Sequence, residues 1–173
     1  MAHVIWLTGI SGSGKTTLGG LIVKEFEQKQ KNIEFLDGNI VRGFFENDLG
    51  YTRQERIFNV KRIAFAATLL AQNSVNVVVA NIAPYYEVRD FVRKHTENYI
   101  QIFLKTSLED VKKKDVHGHY KKYENGQLKN LIGIDDPYDI PRKPDLVVNT
   151  TAKTPEESLA KIMDLLVKKG VAI

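Results

Sequence analysis

The residues with the clearest capacity for chemistry form one glycine-rich run near the amino terminus. Positions 9–16 read G-I-S-G-S-G-K-T and match the pattern G-x-x-x-x-G-K-[ST] at every fixed position. Small residues let successive backbone N–H groups curl around a phosphate, and the helix that follows points its positive end at the same anion. The run therefore predicts a binding site for a nucleoside triphosphate.

Two reactive side chains end this run, and one carboxylate follows it. Lys15 can reach the β- and γ-phosphates, and the Thr16 hydroxyl can bind Mg²⁺. Asp37 ends a short apolar run, a position from which a carboxylate can hold Mg²⁺ directly or through water. We therefore expect ATP and Mg²⁺ as cofactors, Lys15 and Asp37 as catalytic residues, and Thr16 and Asp37 as metal ligands. The expected ATP-binding residues are Gly9, Ser11, Gly12, Ser13, Gly14, Lys15, Thr16 and Thr17.

Apolar periodicity predicts the elements that position these residues. Patterns typical of buried strands lie at 3–8, 33–36, 75–80, 99–104 and 145–148. Helical patterns lie at 17–30, 39–45, 53–73, 86–94, 107–114 and 154–168. This alternation predicts an α/β protein with a P-loop NTPase fold, in which a doubly wound parallel sheet has helices on both faces.

One long segment interrupts the alternation. Between residues 115 and 143 the periodicity disappears, and the part up to residue 131 offers few apolar anchors. An irregular stretch of this length inside a compact domain is usually functional, for instance an active-site lid. We expect residues 1–173 to form a single P-loop domain with a lid at about 115–143.

Composition limits the classes of function. The chain has 173 residues, of which 43% are hydrophobic and 27% charged, and it contains no cysteine. No apolar run approaches the roughly 20 residues that span a bilayer, and no signal-peptide pattern precedes the first strand. We therefore expect no membrane association and a cytoplasmic location. The net charge of +4 suits nucleic acid or small polyanions, but without a basic tail or an RNA-binding module we expect no nucleic-acid partner.

Four blocks of the chain resemble the adenylylsulfate (APS) kinases. The blocks are the glycine-rich run; Leu36-Asp37-Gly38 with Val41-Arg42; Asp48-Leu49-Gly50 with Arg56, Asn59 and Arg62; and Tyr120-Lys121-Lys122 through Gly133-Ile134-Asp135-Asp136-Pro137-Tyr138. The last block is the most specific, because general P-loop proteins lack it. The resemblance implies a kinase that moves the γ-phosphoryl of ATP to the ribose 3′-hydroxyl of a nucleotide acceptor, adenosine 5′-phosphosulfate (APS). It also implies a lid over both substrates and a homodimer.

The resemblance extends to the acceptor site. It implies that Arg42, Arg56 and Asn59 hold the acceptor nucleotide, with the two guanidinium groups on its 5′-phosphoryl groups. The full set expected at the acceptor is Asn39, Arg42, Tyr51, Arg56, Asn59, Asn81, Ile82, Lys121 and Leu131.

The same pocket departs from the family pattern. Asn39 stands where the family has a second aspartate, and Leu131 stands where a phenylalanine stacks on the acceptor adenine opposite Tyr51. Asn81 and Ala83 occupy the positions of a phenylalanine and a serine. Losing one aromatic ring removes about 1–3 kcal/mol of base stacking. These departures favour cytidine diphosphoramidate, an intermediate in capsule phosphoramidate synthesis, slightly over APS, and an ordinary APS kinase of sulfate assimilation is the alternative.

Three questions stay open at this point. Asp37 either orients the metal ion or accepts the 3′-hydroxyl proton, since Asn39 cannot act as a base. The P-loop also occurs in switch NTPases and nucleic-acid-binding proteins, which the basic start of the third helix favours weakly. A binding module without turnover is a third interpretation, suggested only by Asn39 and Ala83. ATP consumption with a panel of nucleotide acceptors separates these interpretations.

Overall fold

The central sheet is parallel and carries the glycine-rich run on its middle strand. The computed structural model describes residues 2–173, in which the strands are β1 (Val4–Thr8), β2 (Ile33–Asp37), β3 (Asn76–Ala80), β4 (Tyr99–Lys105) and β5 (Leu146–Asn149). They pair in the order β2-β3-β1-β4-β5, and every pairing is parallel. All strands therefore end at the same edge of the sheet, which is where ligands bind in such folds.

Helices connect the strands and end close to where their patterns predict. They are α1 (Lys15–Gln28), α2 (Gly38–Phe44), α3 (Arg53–Gln72), α4 (Tyr86–His95), α5 (Leu108–Lys114), α6 (His119–Glu124) and α7 (Pro155–Lys168). Capping boxes from Thr52 to Glu55 and from Thr154 to Glu157 fix the starts of α3 and α7. Across residues 2–173, no helix has both the length and the apolar character needed to cross a membrane.

Two apolar layers cover the two faces of the sheet. On one face, α3 and α4 bury Ile63 and Val88 against Trp6 and its neighbours. On the other face, α1 and α7 bury Phe26 and Ile162 in a second cluster. Each such side chain contributes about 1.5–3 kcal/mol when it is fully buried. The predicted α/β fold, with a parallel sheet and helices on both faces, is confirmed.

The segment expected to lack apolar anchors is better anchored than predicted. It contains α6, whose Tyr120 is buried with Leu131 and Val111 in a small apolar cluster. The Tyr120 hydroxyl donates a hydrogen bond to the Ser11 carbonyl oxygen at 2.8 Å. The expectation of few anchors between 115 and 131 is therefore wrong, because a six-residue helix buries its apolar side chains without a long periodic pattern.

The second half of this segment is fastened to the sheet edge. The Tyr138 hydroxyl lies 2.8 Å from the Thr8 hydroxyl at the end of β1. The Tyr85 hydroxyl donates to Asp136 at 2.7 Å, and Arg89 donates to the carbonyl oxygen of Asp139. These bonds restrict movement of residues 136–139. The lid stays a prediction, and the part of the predicted range 115–143 that can still move as a lid is about 115–131.

Candidate active site

The glycine-rich run folds as a phosphate-binding loop between β1 and α1. Gly12 and Gly14 have φ values of +81° and +94°, a region that glycine occupies without steric cost. Gly9 packs beneath the loop, where an added Cβ would lie 2.7 Å from the Leu104 carbonyl oxygen. The sequence folds in this way because glycine alone meets both requirements at such short spacing.

Lys15 lies folded back on the loop. Its ammonium group donates hydrogen bonds to the carbonyl oxygens of Gly9 and Ile10, both at 2.8 Å. Desolvation in the loop lowers the pKa of Lys15 to about 7, although the charge of Asp37 acts in the opposite direction. A bound phosphate would favour the charged form, so this ammonium group is placed to exchange carbonyl partners for an anion.

Thr16 and Asp37 lie side by side at the sheet edge. The Thr16 hydroxyl donates to Asp37 Oδ2 at 2.7 Å, and the backbone N–H of Asn39 donates to Oδ1 at 2.8 Å. Asp37 thus caps α2 and is buried. No cluster of three or more His, Cys, Asp or Glu side chains suited to a metal forms in the part of the chain the structure describes. One hydroxyl and one carboxylate nevertheless fit Mg²⁺, which usually completes its octahedron with phosphate oxygens and waters.

A single cavity of about 450 Å³ brings most of the predicted site residues together. Its walls include Ser11, Gly12, Gly14, Lys15, Thr16, Thr17, Asp37, Asn39, Arg42, Tyr51, Arg56, Asn59, Asn81, Ile82 and Leu131. Three predicted residues are not part of this wall. Gly9 lies under the loop, Ser13 borders a neighbouring cleft, and Lys121 is exposed on α6.

Two arginines bind the segment that carries Tyr51. Arg42 Nη1 donates to the carbonyl oxygens of Leu49 and Gly50 at 2.9 and 3.0 Å. Arg56 Nε donates to the Tyr51 carbonyl oxygen at 3.0 Å, and both guanidinium groups lie near the Tyr51 ring, at 4.5 and 5.1 Å from its centroid. Arginine has five N–H donors, so each keeps donors for an anion in the cavity.

Asn59 offers the cavity an unpaired hydrogen-bonding atom. Its side chain on α3 is 2% exposed, and Oδ1 has no hydrogen-bond partner within the protein. Leaving a buried carbonyl oxygen unpaired costs about 1–3 kcal/mol, and a ligand that donates to it recovers part of this cost. The position and the unmet hydrogen bond together make Asn59 a candidate ligand-binding residue.

Asn81 has a structural role that its sequence position does not reveal. Its Oδ1 accepts a hydrogen bond from the Ala83 backbone N–H at 2.9 Å and holds a turn in which Ala83 has a φ of +41°. Its NH₂ group lies against Gly38, where no side chain would fit. Asn81 therefore shapes the cavity wall through its oxygen, and only its NH₂ group is left without a protein partner.

Two sets of cavity residues escaped sequence analysis. His117 and His119 line the main cavity. A second cleft of about 160 Å³ adjoins the phosphate-binding loop on its other side, between Thr106, Thr150 and Lys153. The second set could have been found from the sequence, because these residues follow the ends of β4 and β5 at the ligand-binding edge.

Known proteins are similar to this chain in both sequence and fold. The chain matches the family described as Adenylylsulphate kinase over residues 1–149. It is 40% identical over 166 residues to the adenylyl-sulfate kinase of Rippkaea orientalis, covering 96% of this chain and 92% of the relative. It superimposes on the Mycobacterium tuberculosis APS kinase in complex with AMPPNP and APS with a TM-score of 0.91 at 32% identity, covering 96% and 98% of the two chains. A hexameric APS kinase from Thiobacillus denitrificans gives 0.76 at 26% identity, over 100% of this chain and 30% of that one.

Proposed function

The chain belongs to the adenylylsulfate kinase family, and we propose that it transfers the γ-phosphoryl of ATP to the ribose 3′-hydroxyl of APS. The observation that carries the proposal is the continuity of one cavity. The same space joins the phosphate-binding loop and the Thr16–Asp37 pair to Arg42 and Asn59. A donor nucleotide and an acceptor nucleotide can therefore meet in it.

The preference for cytidine diphosphoramidate that the sequence suggested is unsupported. The matched relatives are described as adenylyl-sulfate kinases. The structural argument for a different base also weakens, because Asn81 Oδ1 already holds the turn at Ala83. Leu131 is 6% exposed and lines the cavity with an apolar surface that can cover a purine opposite Tyr51.

On the donor side, the loop and Lys15 hold the phosphates of ATP. Lys15 exchanges its bonds to the Gly9 and Ile10 oxygens for oxygens of the β- and γ-phosphates. Thr16 and Asp37 would hold Mg²⁺, which neutralises charge on the transferring group when it is bound. The second cleft beside the loop is placed to take the base of ATP, between Thr106 and Lys153.

On the acceptor side, charged and polar groups face the position of the sulfate-bearing nucleotide. Arg42 and Arg56 bind its 5′-phosphosulfate with their remaining N–H donors, and Asn59 Oδ1 accepts a hydrogen bond from an N–H or O–H group elsewhere on the same nucleotide. The 3′-oxygen attacks the γ-phosphorus in line as the bond to the β–γ bridging oxygen breaks. ADP and 3′-phosphoadenylyl sulfate leave, and the proton of the 3′-hydroxyl passes to Asp37 or to water. A weak base suffices because the transition state is loose.

We propose two further features of the whole chain. Residues 1–173 act as one P-loop kinase domain in which 115–131 closes over the substrates, since α6 reaches the phosphate-binding loop through Tyr120. Two copies of the chain associate through apolar side chains on α2 and α3, of which Phe44 is 81% exposed.

An acceptor panel tests the proposed reaction. ADP release is measured with Mg-ATP alone and with APS, cytidine diphosphoramidate or 3′-deoxy-APS. We expect APS to exceed the cytidine compound at least about a hundredfold in kcat/KM, which corresponds to about 2.8 kcal/mol. We expect 3′-deoxy-APS to bind without turnover. Equal ADP release with and without acceptors would indicate a switch NTPase, and faster turnover of the cytidine compound would contradict the assigned acceptor. The variant Lys24→Met, at an exposed position of α1, should turn over each acceptor as the native protein does, and it is the matched control for Lys15→Met.

A further inference from the structure

Two histidines of the segment 115–131 line the cavity opposite the phosphate-binding loop. His117 precedes α6 and His119 begins it, and both contribute to the cavity wall. Their rings lie 5.5 Å apart. The proposed reaction gives neither of them a role, although a protonated imidazole carries a positive charge and two N–H donors that suit a phosphate group.

His119 contacts the loop at a particular residue. Its Nδ1 lies 3.1 Å from the Ser11 hydroxyl oxygen, and the next residue, Tyr120, donates to the Ser11 carbonyl oxygen. Ser11 follows Ile10, whose carbonyl oxygen holds the Lys15 ammonium group. Because this ammonium group is the one that reaches the β- and γ-phosphates, the imidazole lies beside the loop end that receives the terminal phosphate.

We propose that His119 binds the terminal phosphate of the donor nucleotide by donating a hydrogen bond from its imidazolium form. This inference rests on the proposed function, because it assumes ATP in the cavity. The hydrogen bond between His119 Nδ1 and the Ser11 hydroxyl holds the ring over the loop before the nucleotide binds. When the nucleotide binds, both Lys15 and the His119 ring reorient toward its terminal phosphate.

The surrounding charges give the proposal a pH dependence. Burial lowers the pKa of His119, as do the neighbouring charges of His117 and Lys122, while Asp115 acts in the opposite direction. From the loop, the neutral Ser11 hydroxyl contacts the His119 ring, and the Lys15 ammonium group is bound to the carbonyl oxygen of Ile10, the residue before Ser11. The free enzyme therefore holds His119 mostly neutral near pH 7. A terminal phosphate raises the pKa of the imidazole, so its binding takes up a proton and strengthens as pH falls.

The contribution of the terminal phosphate is isolated by comparing two nucleotides. Dissociation constants of ADP and of AMPPNP, both with saturating Mg²⁺, are measured by calorimetry at pH 6 and pH 8. In the native protein we expect the ratio of the two constants to favour AMPPNP about tenfold more at pH 6 than at pH 8, the effect of one charge-assisted hydrogen bond. In His119→Asn, which keeps a polar group for Ser11, we expect most of this change with pH to disappear, and the part that remains belongs to Lys15, whose pKa is about 7. His95→Asn, on the exposed end of α4, is expected to behave like the native protein.

Several outcomes would overturn the inference. A ratio that does not change with pH in the native protein contradicts it, as does an unaltered change in His119→Asn. An equal pH effect on ADP and AMPPNP would place the contact elsewhere on the nucleotide. If His119→Asn fails to fold, NMR of ¹⁵N-labelled imidazole in the native protein replaces it. The proposal then requires that AMPPNP raise the pKa of His119 more than ADP does. If the native protein binds AMPPNP normally while these tests fail, the proposed function stands and the histidine contact does not.

Discussion

Lys15 is held in an environment that disfavours its charge when no anion is present. Its ammonium group has two carbonyl oxygens as partners, and desolvation brings its pKa to about 7. The unfolded chain, in which the lysine pKa is near 10.5, binds more protons than the folded chain between these two values. Folding stability from this group therefore rises with pH across that window and is lowest at and below its lower end. A bound phosphate removes this disadvantage.

We predict that Lys15→Met separates stability from catalysis. Phosphoryl transfer should fall by about 10²–10³-fold or more, because a donor to the transition state is lost. The melting temperature of the unliganded variant should exceed that of the native protein most at pH 7, and the difference should shrink towards pH 10. Thermal melts with and without Mg-ATP measure both effects, with Lys24→Met as control. Near-native turnover would exclude the kinase assignment. A difference in melting temperature that does not change with pH would contradict the lowered pKa of Lys15.

Asn59 leads to a second prediction at this scale. Replacing it by leucine removes a buried carbonyl oxygen that lacks a partner, so the free energy of unfolding should be unchanged or higher. The KM for APS should rise about ten- to a hundredfold, while the KM for ATP stays within twofold. Steady-state kinetics and urea unfolding measure these quantities. Gln72→Leu, exposed at the end of the same helix, is the matched control. A large loss of stability in Asn59→Leu would show that the amide has a structural partner instead.

The sequence predicts such residues only where a fixed pattern carries their chemistry. Lys15 and Thr16 lie where expected because the P-loop pattern specifies a backbone path, and Asp37 joins them because β2 ends at the same edge of the sheet. Lys121 illustrates the limit, because its cavity position was inferred from resemblance, and a half-turn of α6 leaves it exposed while His119 faces the cavity. Which side of a short helix faces inward depends on one anchoring side chain, and a six-residue helix has too few positions to show it.

At the scale of elements, the side of the cavity proposed for the acceptor is held together by arginines from two helices. Arg42 of α2 holds the carbonyl oxygens before Tyr51, and Arg56 of α3 reaches the Asn130 carbonyl oxygen at 2.6 Å. Arg62 of α3 pairs with both oxygens of Asp48 at 2.8 Å. The segment that carries Tyr51 and the segment 115–131 therefore share an anchor on α3. We therefore expect a nucleotide bound near Arg56 to reduce the mobility of both segments.

We predict that the segment 115–131 becomes ordered when both nucleotides bind. Amide hydrogen exchange should slow in this segment with AMPPNP and APS, while amides near Tyr138 are protected from the start by the bonds to β1. Tyr120→Phe removes the bond to the Ser11 oxygen and should raise the KM for ATP about three- to tenfold. Tyr123→Phe, whose hydroxyl has no hydrogen bond in the described structure, is the control. Equal exchange with and without ligands would contradict a lid.

At the scale of the whole molecule, the fold follows from its periodicity. Strands and helices alternate, each buried strand is flanked by turn residues, and right-handed crossovers leave few ways to arrange them. α3 shows what periodicity hides. One side of the helix buries Ile63 and Ala67 under the sheet, while Phe58 and Phe65 lie on the opposite side and are exposed. Because apolar residues lie on two opposite sides, the helical spacing predicts the helix but does not show that one of these sides is exposed.

The exposed apolar side chains of α3 form one continuous stripe along the helix. Phe58, Phe65 and Leu69 are seven and four residues apart, a spacing that places them on one stripe of a helix. They are 46%, 72% and 50% exposed, and α2, which packs against α3, adds Ile40 at 68% and Phe44 at 81%. A self-complementary stripe of this kind suits a two-fold contact between copies, in which the same residues meet from both sides.

We predict that this stripe holds two copies of the chain together. A stable protein–protein contact buries about 1,200–2,000 Å² in total, which two helices from each copy can supply. Sedimentation equilibrium at micromolar concentration should give the mass of a dimer for the native protein. It should give a monomer for Phe65→Glu, because a charge would then be buried at the centre of the contact without a partner. Val167→Glu places the same charge on a similarly exposed apolar position of α7, on the opposite face of the sheet, and should leave the dimer intact. A monomeric native protein, or equal dissociation by both variants, would contradict the assignment of this face.

Phe65 lies outside the cavity wall, so turnover per chain should change little in Phe65→Glu if each copy holds a complete site.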